Sequence, residues 1–175
     1  DILQKVQKSK NSPAKELLDI SLDAEEYTVT FVANGQTVTR KALFDWSKED
    51  NERIRYYSGT AIYKTTFPWK YKEQKDRQVY LHLGTVYNLA TVRVNGIDCG
   101  TVWTAPYRAD ITAALKKGTN ELEIEVTNTW ANALKGTDEG KAPFEGIWTN
   151  AKYRKQENTL LPGGLLGPLY LEQSN

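Results

Sequence analysis

The sequence predicts an all-β protein built as an antiparallel β-sandwich. Three observations carry that expectation. Short runs alternate apolar and polar residues, most cleanly ELEIEV at 121–126 and QVYLHLG at 78–84. Such alternation describes strands with one face buried and one face wet, the usual condition of antiparallel sheets. Turn signals separate the runs, namely Asn34-Gly35, Asn95-Gly96 and Lys117-Gly118-Thr119-Asn120. Many short strands at regular spacing, with no long helical period among them, belong to sandwiches.

The elements follow in order. Residues 1–22 are expected to be a linker or boundary segment, because DILQKVQKSKNSPAKELLDI is lysine-rich and lacks aromatics. Within it Ser12-Pro13 has the form of a helix start. The sandwich is expected over 23–175. YTVTFVA opens it, and TAIYKTTF supplies a second strand rich in β-branched and aromatic residues. QVYLHLG places Val79, Leu81 and Leu83 on one face, with His82 on the other as an ordinary half-exposed strand residue. ATVRVNG buries Val92 and Val94 against an outward Arg93. ELEIEV turns Leu122, Ile124 and Val126 inward and Glu121, Glu123 and Glu125 outward. Asn95-Gly96 fits a two-residue type I′ turn, which requires positive φ twice. Cys99, just beyond it, is expected to be a small buried hydrophobe. Short helical pieces are expected after Ser47 and after Asp110. Two stretches break the pattern: 43–58, which mixes charges with Trp46, Tyr56 and Tyr57, and 128–167, which shows little periodicity. So long a loop is often functional.

Bulk properties narrow the function. The chain has 175 residues, suited to one domain able to bury a full core. With 23 basic and 22 acidic residues its formal charge is +1, which does not suit a partner carrying dense phosphate charge. No run is long and apolar enough for a membrane helix, and there is no polybasic patch for a membrane surface. One cysteine and one histidine cannot build a Cys/His zinc site. No cofactor is expected. A calcium site made of backbone carbonyls leaves no sequence signature, so calcium stays open. The sequence contains no methionine, so a processed chain or a piece of a longer protein is expected.

Several strings, taken in order, resemble a known family. They are YYSGTAIYKTTF, VYLHLGTVYNLATVRVNGIDCGTVWTAPYRADIT, LKKGTNELEIEVTNTW and PGGLLGPLYLE. Together they resemble the sugar-binding jelly-roll domain of family-two-type glycoside hydrolases, in the variant carried by bacterial α-L-rhamnosidase-like enzymes. The resemblance covers roughly 43–173. It implies a galactose-binding-domain-like fold and a non-catalytic module whose acid and nucleophile lie on a separate barrel. It also implies an exported bacterial enzyme acting on polysaccharide, periplasmic or extracellular, with carbohydrate and the catalytic barrel as partners. In β-galactosidase-like relatives the late loop of the jelly roll reaches toward the barrel and helps hold sugar hydroxyls, and that resemblance implies Asn132 and Asp138 as the polar candidates. The sequence departs from the pattern after Trp130, where relatives carry Asn-Arg-Leu-Ile-Gly-Asp. Here Asn132 is followed by Ala133, and Asp138 comes one step late.

Two segments supply candidate ligand groups. Sugars offer flat C–H faces to aromatic rings and hydroxyls to amides, carboxylates and guanidinium groups. WTAPYR contributes Trp103, Tyr107 and Arg108. The late loop contributes Trp130, Asn132, Asp138 and Trp148. A structural alternative stands beside each: Trp103 and Tyr107 as caps on the sandwich end, Arg108 paired with Asp110, and the loop residues as packing and caps. Phe67-Pro68-Trp69-Lys70-Tyr71 is either an exposed platform or a strand end whose tryptophan covers the rim. Asp45, Glu49, Asp50, Asp138, Glu139 and Glu145 show no spacing that selects a catalytic pair. Three functions stay open: an accessory module of a hydrolase, an independent lectin-like protein, and a self-contained hydrolase.

Overall fold

The computed structural model describes residues 18–23, 25–71, 77–141 and 159–174. Eleven strands form two antiparallel sheets among them. The strands are β1 Leu18–Ser21, β2 Tyr27–Phe31, β3 Gln36–Arg40, β4 Thr60–Trp69, β5 Gln78–Tyr87, β6 Leu89–Val94, β7 Ile97–Val102, β8 Tyr107–Asp110, β9 Gly118–Thr127, β10 Gly164–Gly167 and β11 Tyr170–Ser174. Two helices, α1 Glu52–Arg55 and α2 Ala131–Asp138, join them.

One sheet has the order β3-β2-β4-β9-β6-β7. In the other, β5 is central: β8 pairs with it, as do β10 and β11, and β1 adds outside β11. β1 falls inside the 1–22 segment expected to be a boundary. Its register, Ile20 opposite Leu171, extends the sheet at its edge.

The inward faces are those the alternation dictates. Leu81, Leu83, Val92, Val94, Leu122, Ile124 and Val126 are all buried, facing one another across the sandwich with Val29, Phe31, Leu165 and Leu171. Outside, Glu123 and Glu125 both accept from Arg93 Nη1, at 3.1 and 2.9 Å, and Lys64 pairs with Glu123. The β6–β7 turn has Asn95 at φ 52° and Gly96 at φ 77°, the double positive φ of a type I′ turn. Asn95 Nδ2 also donates to the Ala114 carbonyl and to Asn120 Oδ1, each at 2.8 Å. The hairpin tip is thereby tied to the start of β9.

In the first irregular stretch, 43–58, Trp46, Ile54, Tyr56 and Tyr57 are core, while its charged residues lie at or near the surface. Trp46, Phe31 and Tyr57 meet edge to face with centroids 4.9–5.6 Å apart. Trp46 Nε1 donates to Tyr63 Oη at 2.7 Å, and the Leu165 amide donates to the same oxygen at 3.3 Å. Trp69 is buried and covers the sandwich rim, while Tyr71 beyond it reaches the surface. Cys99 is half-buried against the core rather than enclosed in it. The expected Ser12-Pro13 helix start lies outside the described residues.

Candidate functional site at one end of the sandwich

Strand register brings the two candidate segments to the same end. Val126 of β9 pairs with Ala90 of β6, and Ala90 pairs with Val102 of β7. The next residues beyond these strand ends are the segments carrying Trp103 and Trp130. β9 and β7 flank β6, so their ends lie about 10 Å apart, two strand spacings. Between them stands the β5–β6 connection, where Asn88 N donates to the Thr127 carbonyl at 2.9 Å.

Part-buried hydrogen bonds tie this end together. Asn128 Oδ1 accepts from the Gly59 amide at 2.8 Å and its Nδ2 donates to the Tyr57 carbonyl at 2.9 Å, fastening the exit of β9 to the entry of β4. The segment before β10 is fastened from below. The Gly163 amide donates to Asp45 Oδ1, and the Trp46 amide donates to the Gly163 carbonyl, both at 3.0 Å. Asp45 Oδ1 also accepts from the Ser47 amide and hydroxyl. Burial pushes the Tyr63 and Tyr57 hydroxyls up from the ordinary tyrosine range, so both are neutral hydrogen-bonding groups.

The expected site residues divide by position. Trp103 is 75% exposed, Trp130 is 56% exposed and Leu161 is 46% exposed. Tyr107 is half-buried and packs against the core. Arg108 is exposed, and its guanidinium lies 4.5 Å over the Tyr80 ring on the outer face of the smaller sheet. There its neighbour across the strands is His82, which stacks on Tyr170 and is hydrogen-bonded to Glu172. Asp110, the carboxylate proposed to pair with Arg108, instead accepts from the Thr112 amide at 3.0 Å.

Asn132 is buried. Its Nδ2 donates to the Leu161 carbonyl at 2.7 Å and its Oδ1 accepts from the Leu161 amide at 2.9 Å. Ala133 is fully buried and its amide donates to Ser58 Oγ at 3.1 Å. Asp138 is exposed at the far end of α2. Trp148 lies outside the described residues.

Sequence reasoning missed α2. The stretch ANALKGTD carries asparagine, glycine and threonine, poor helix formers, and no side chain of its own caps it. It is helical because tertiary partners hold it: Ser58 and Leu161 at the first turn, and Tyr56, whose hydroxyl donates to Glu139 Oε2 at 2.7 Å. The signal that could have found it is small residues, Ala133 and Gly136, spaced to lie on one face. A Cβ on Gly136 would stand 2.9 Å from the Tyr56 ring. The exposed Leu161 also escaped notice.

Two antiparallel sheets packed face to face over one core form a β-sandwich. The glycosyl hydrolase 2 galactose-binding domain-like family matches residues 38–160, and the chain belongs to it. The structure is similar to that of a rhamnosidase from Novosphingobium sp. PP1Y, with a TM-score of 0.80 and 37% identity, covering 91% of this chain and 15% of that one. An FMN-binding β-glucuronidase from Facaelibacterium prausnitzii L2-6 matches with a TM-score of 0.61 and 25% identity, over 91% of this chain and 23% of that one. In sequence, a protein of Formosa agariphila named "Putative beta-glucuronidase" is 36% identical over 83% of this chain and 15% of its own length. The chain thus spans about 15% of the length of the first relatives it matches.

Proposed function

We propose that this chain is a non-catalytic accessory module of a multidomain bacterial glycoside hydrolase, exported to the periplasm or beyond, in which the Trp103–Trp130 end forms one wall of a carbohydrate site facing the catalytic barrel. The observation that carries the reading is the joint exposure of Trp103 and Trp130 at one end of a rigid sandwich. Exposed rings held by a stiff scaffold suit the C–H faces of sugars. Asn132 and Tyr107 act beneath them as supports, since both are drawn into the fold. Arg108 lies over Tyr80 on the outer sheet face, and Asp138 is exposed at the far end of α2.

The carboxylates support a role without catalysis. Asp45 caps backbone amides, Glu49 pairs with Arg40 at 2.9 Å, and Glu139 accepts from Tyr56. A general acid and a nucleophile need two carboxyl groups facing one sugar, and these three are spent on the fold. Titration of the purified chain with a panel of monosaccharides and oligosaccharides, followed by tryptophan fluorescence, tests the reading. Binding is expected to disappear in Trp103→Ala and Trp130→Ala, with no sugar released by the parent chain. Unchanged fluorescence across the panel, or sugar release by the chain alone, would overturn it.

A further inference from the structure

The outer face of the larger sheet carries a trough of about 620 Å³. Its floor is made by outward residues of β4 and β9, namely Lys64, Thr66, Glu121 and Glu123. One wall is the connection into β2, where Thr65 Oγ1 donates to the Glu26 carbonyl at 2.8 Å. The other wall is the β6–β7 turn, fastened to the floor because the Glu121 amide donates to Asn95 Oδ1 at 3.0 Å. β2 and β6 are three strand spacings apart, about 14 Å. Glu121 and Thr127 stand six residues apart on β9, about 20 Å along the strand, so the trough is separate from the aromatic end.

We propose that this trough is a second saccharide site, one that grips a chain by its hydroxyls rather than by its ring faces; the ligand class rests on the reading just given. Strand register sets a row of polar groups across it. Thr28 stands opposite Lys64, Lys64 opposite Glu123, and Glu123 opposite Arg93. A hydroxyl, an ammonium, a carboxylate and a guanidinium thus follow one another at steps of about 4.8 Å. Each sugar hydroxyl both donates and accepts, so a carboxylate beside a cation matches a pair of neighbouring hydroxyls. The row is set before a ligand arrives. Lys64 Nζ lies 3.3 Å from Glu123 Oε2, and Arg93 Nη1 lies 3.1 Å from Glu123 Oε1. Heads already held in place lower the ordering cost of binding. They also keep capacity for a ligand, since both bonds from Arg93 to Glu123 and Glu125 leave from Nη1 and a guanidinium has further N–H donors. Glu121, across from Thr66, is exposed and makes no ion pair among the described residues, so its carboxylate is a further acceptor. An extended peptide fits the trough less well. It would need a free strand edge or apolar side-chain pockets, whereas β4 and β9 are paired on both sides and Leu122 is turned into the core.

Titration of the whole isotope-labelled chain with pentasaccharides of glucose, xylose, mannose and galactose, followed in two-dimensional amide spectra, tests this. The Thr28, Lys64, Thr66 and Glu121 amides are expected to move. That movement should persist when Trp103→Ala and Trp130→Ala are combined, and the affinity read from it should fall about tenfold in Glu121→Ala. Glu121→Gln, which keeps the size and one acceptor, should lose less. Urea midpoints equal to that of the parent chain in both variants tie the loss to the ligand rather than to the fold. Movement in the trough alone would support the trough and overturn the aromatic site. Movement confined to the surroundings of Trp103 and Trp130 would overturn the trough and keep the aromatic site. Trough binding undiminished in Glu121→Ala would also overturn the inference, and no movement anywhere would overturn both sites.

Discussion

Asn132 and Leu161 hold each other in a closed ring. One side-chain amide both donates to the Leu161 carbonyl, at 2.7 Å, and accepts from the Leu161 amide, at 2.9 Å, across 29 residues of sequence. This clasp imitates a strand pair where there is no strand. It joins the first turn of α2 to the segment leading into β10, and so keeps Trp130 and Leu161 at the same end of the sandwich.

Asn132→Ala should therefore destabilise the fold by about 1–3 kcal/mol, because it strands two backbone polar groups beneath the surface. Urea denaturation followed by far-ultraviolet circular dichroism measures it. A midpoint equal to that of the parent chain would show that the clasp contributes nothing.

The tryptophans should separate by burial. Trp46 is buried and bonded to Tyr63, so Trp46→Ala should cost about 3–5 kcal/mol. Trp103 stands in solvent, and Trp103→Ala should stay within about 0.5 kcal/mol of the parent. Thermal unfolding of the two variants side by side gives the comparison. A large loss in Trp103→Ala would mean that the ring is a packing group.

Two glycines offer a similar contrast. Gly164 has φ +97°, and a Cβ there would stand 2.4 Å from Trp46 Nε1. Gly118 has φ +101°, with nothing within 4 Å of such a Cβ. Gly118→Ala should cost about 1 kcal/mol for backbone strain alone. Gly164→Ala adds a clash with a fixed indole and should cost at least about 2 kcal/mol more. Equal losses would place the whole effect in the backbone.

Alkaline pH should destabilise the protein through its buried tyrosines. Burial, and for Tyr27 the nearby Asp23 and Glu25, raises the hydroxyls of Tyr27 and Tyr63 well above the ordinary value of 10.0. The folded state therefore keeps protons that the unfolded state releases. The associated stability is fully present below about pH 10 and is lost as pH rises above it. Urea midpoints should be level from pH 7 to 9 and fall between pH 10 and 11. Tyr27→Phe, which gives up the bond from Tyr27 Oη to the Leu22 carbonyl, should show a shallower alkaline fall from a lower starting point. An unchanged slope in that variant would remove Tyr27 from the account.

Much of the fold was legible in the sequence because strand alternation is local. ELEIEV can bury Leu122, Ile124 and Val126 in only one register without burying glutamates, and Asn95-Gly96 admits the turn that sets that register. The family strings named the same architecture. Less of the candidate site was legible. WTAPYR reads equally well as cap or as platform, since ring chemistry is the same in both. Only the pairing of Val126 with Ala90 and of Ala90 with Val102 brings its tryptophan beside Trp130.

The sequence by itself determined the sandwich, its inward faces, its best turn and the family, since each is written in neighbouring residues. Only the tertiary structure decided that Trp46 and Tyr57 are core, that ANALKGTD is a helix, that Asn132 serves Leu161, and that Arg108 turns away from the aromatic end. The physical reason is that these outcomes depend on groups distant in the chain. A poor helix former becomes helical when Ser58 and Leu161 supply its bonds. A tryptophan is core or platform according to what the other sheet leaves uncovered.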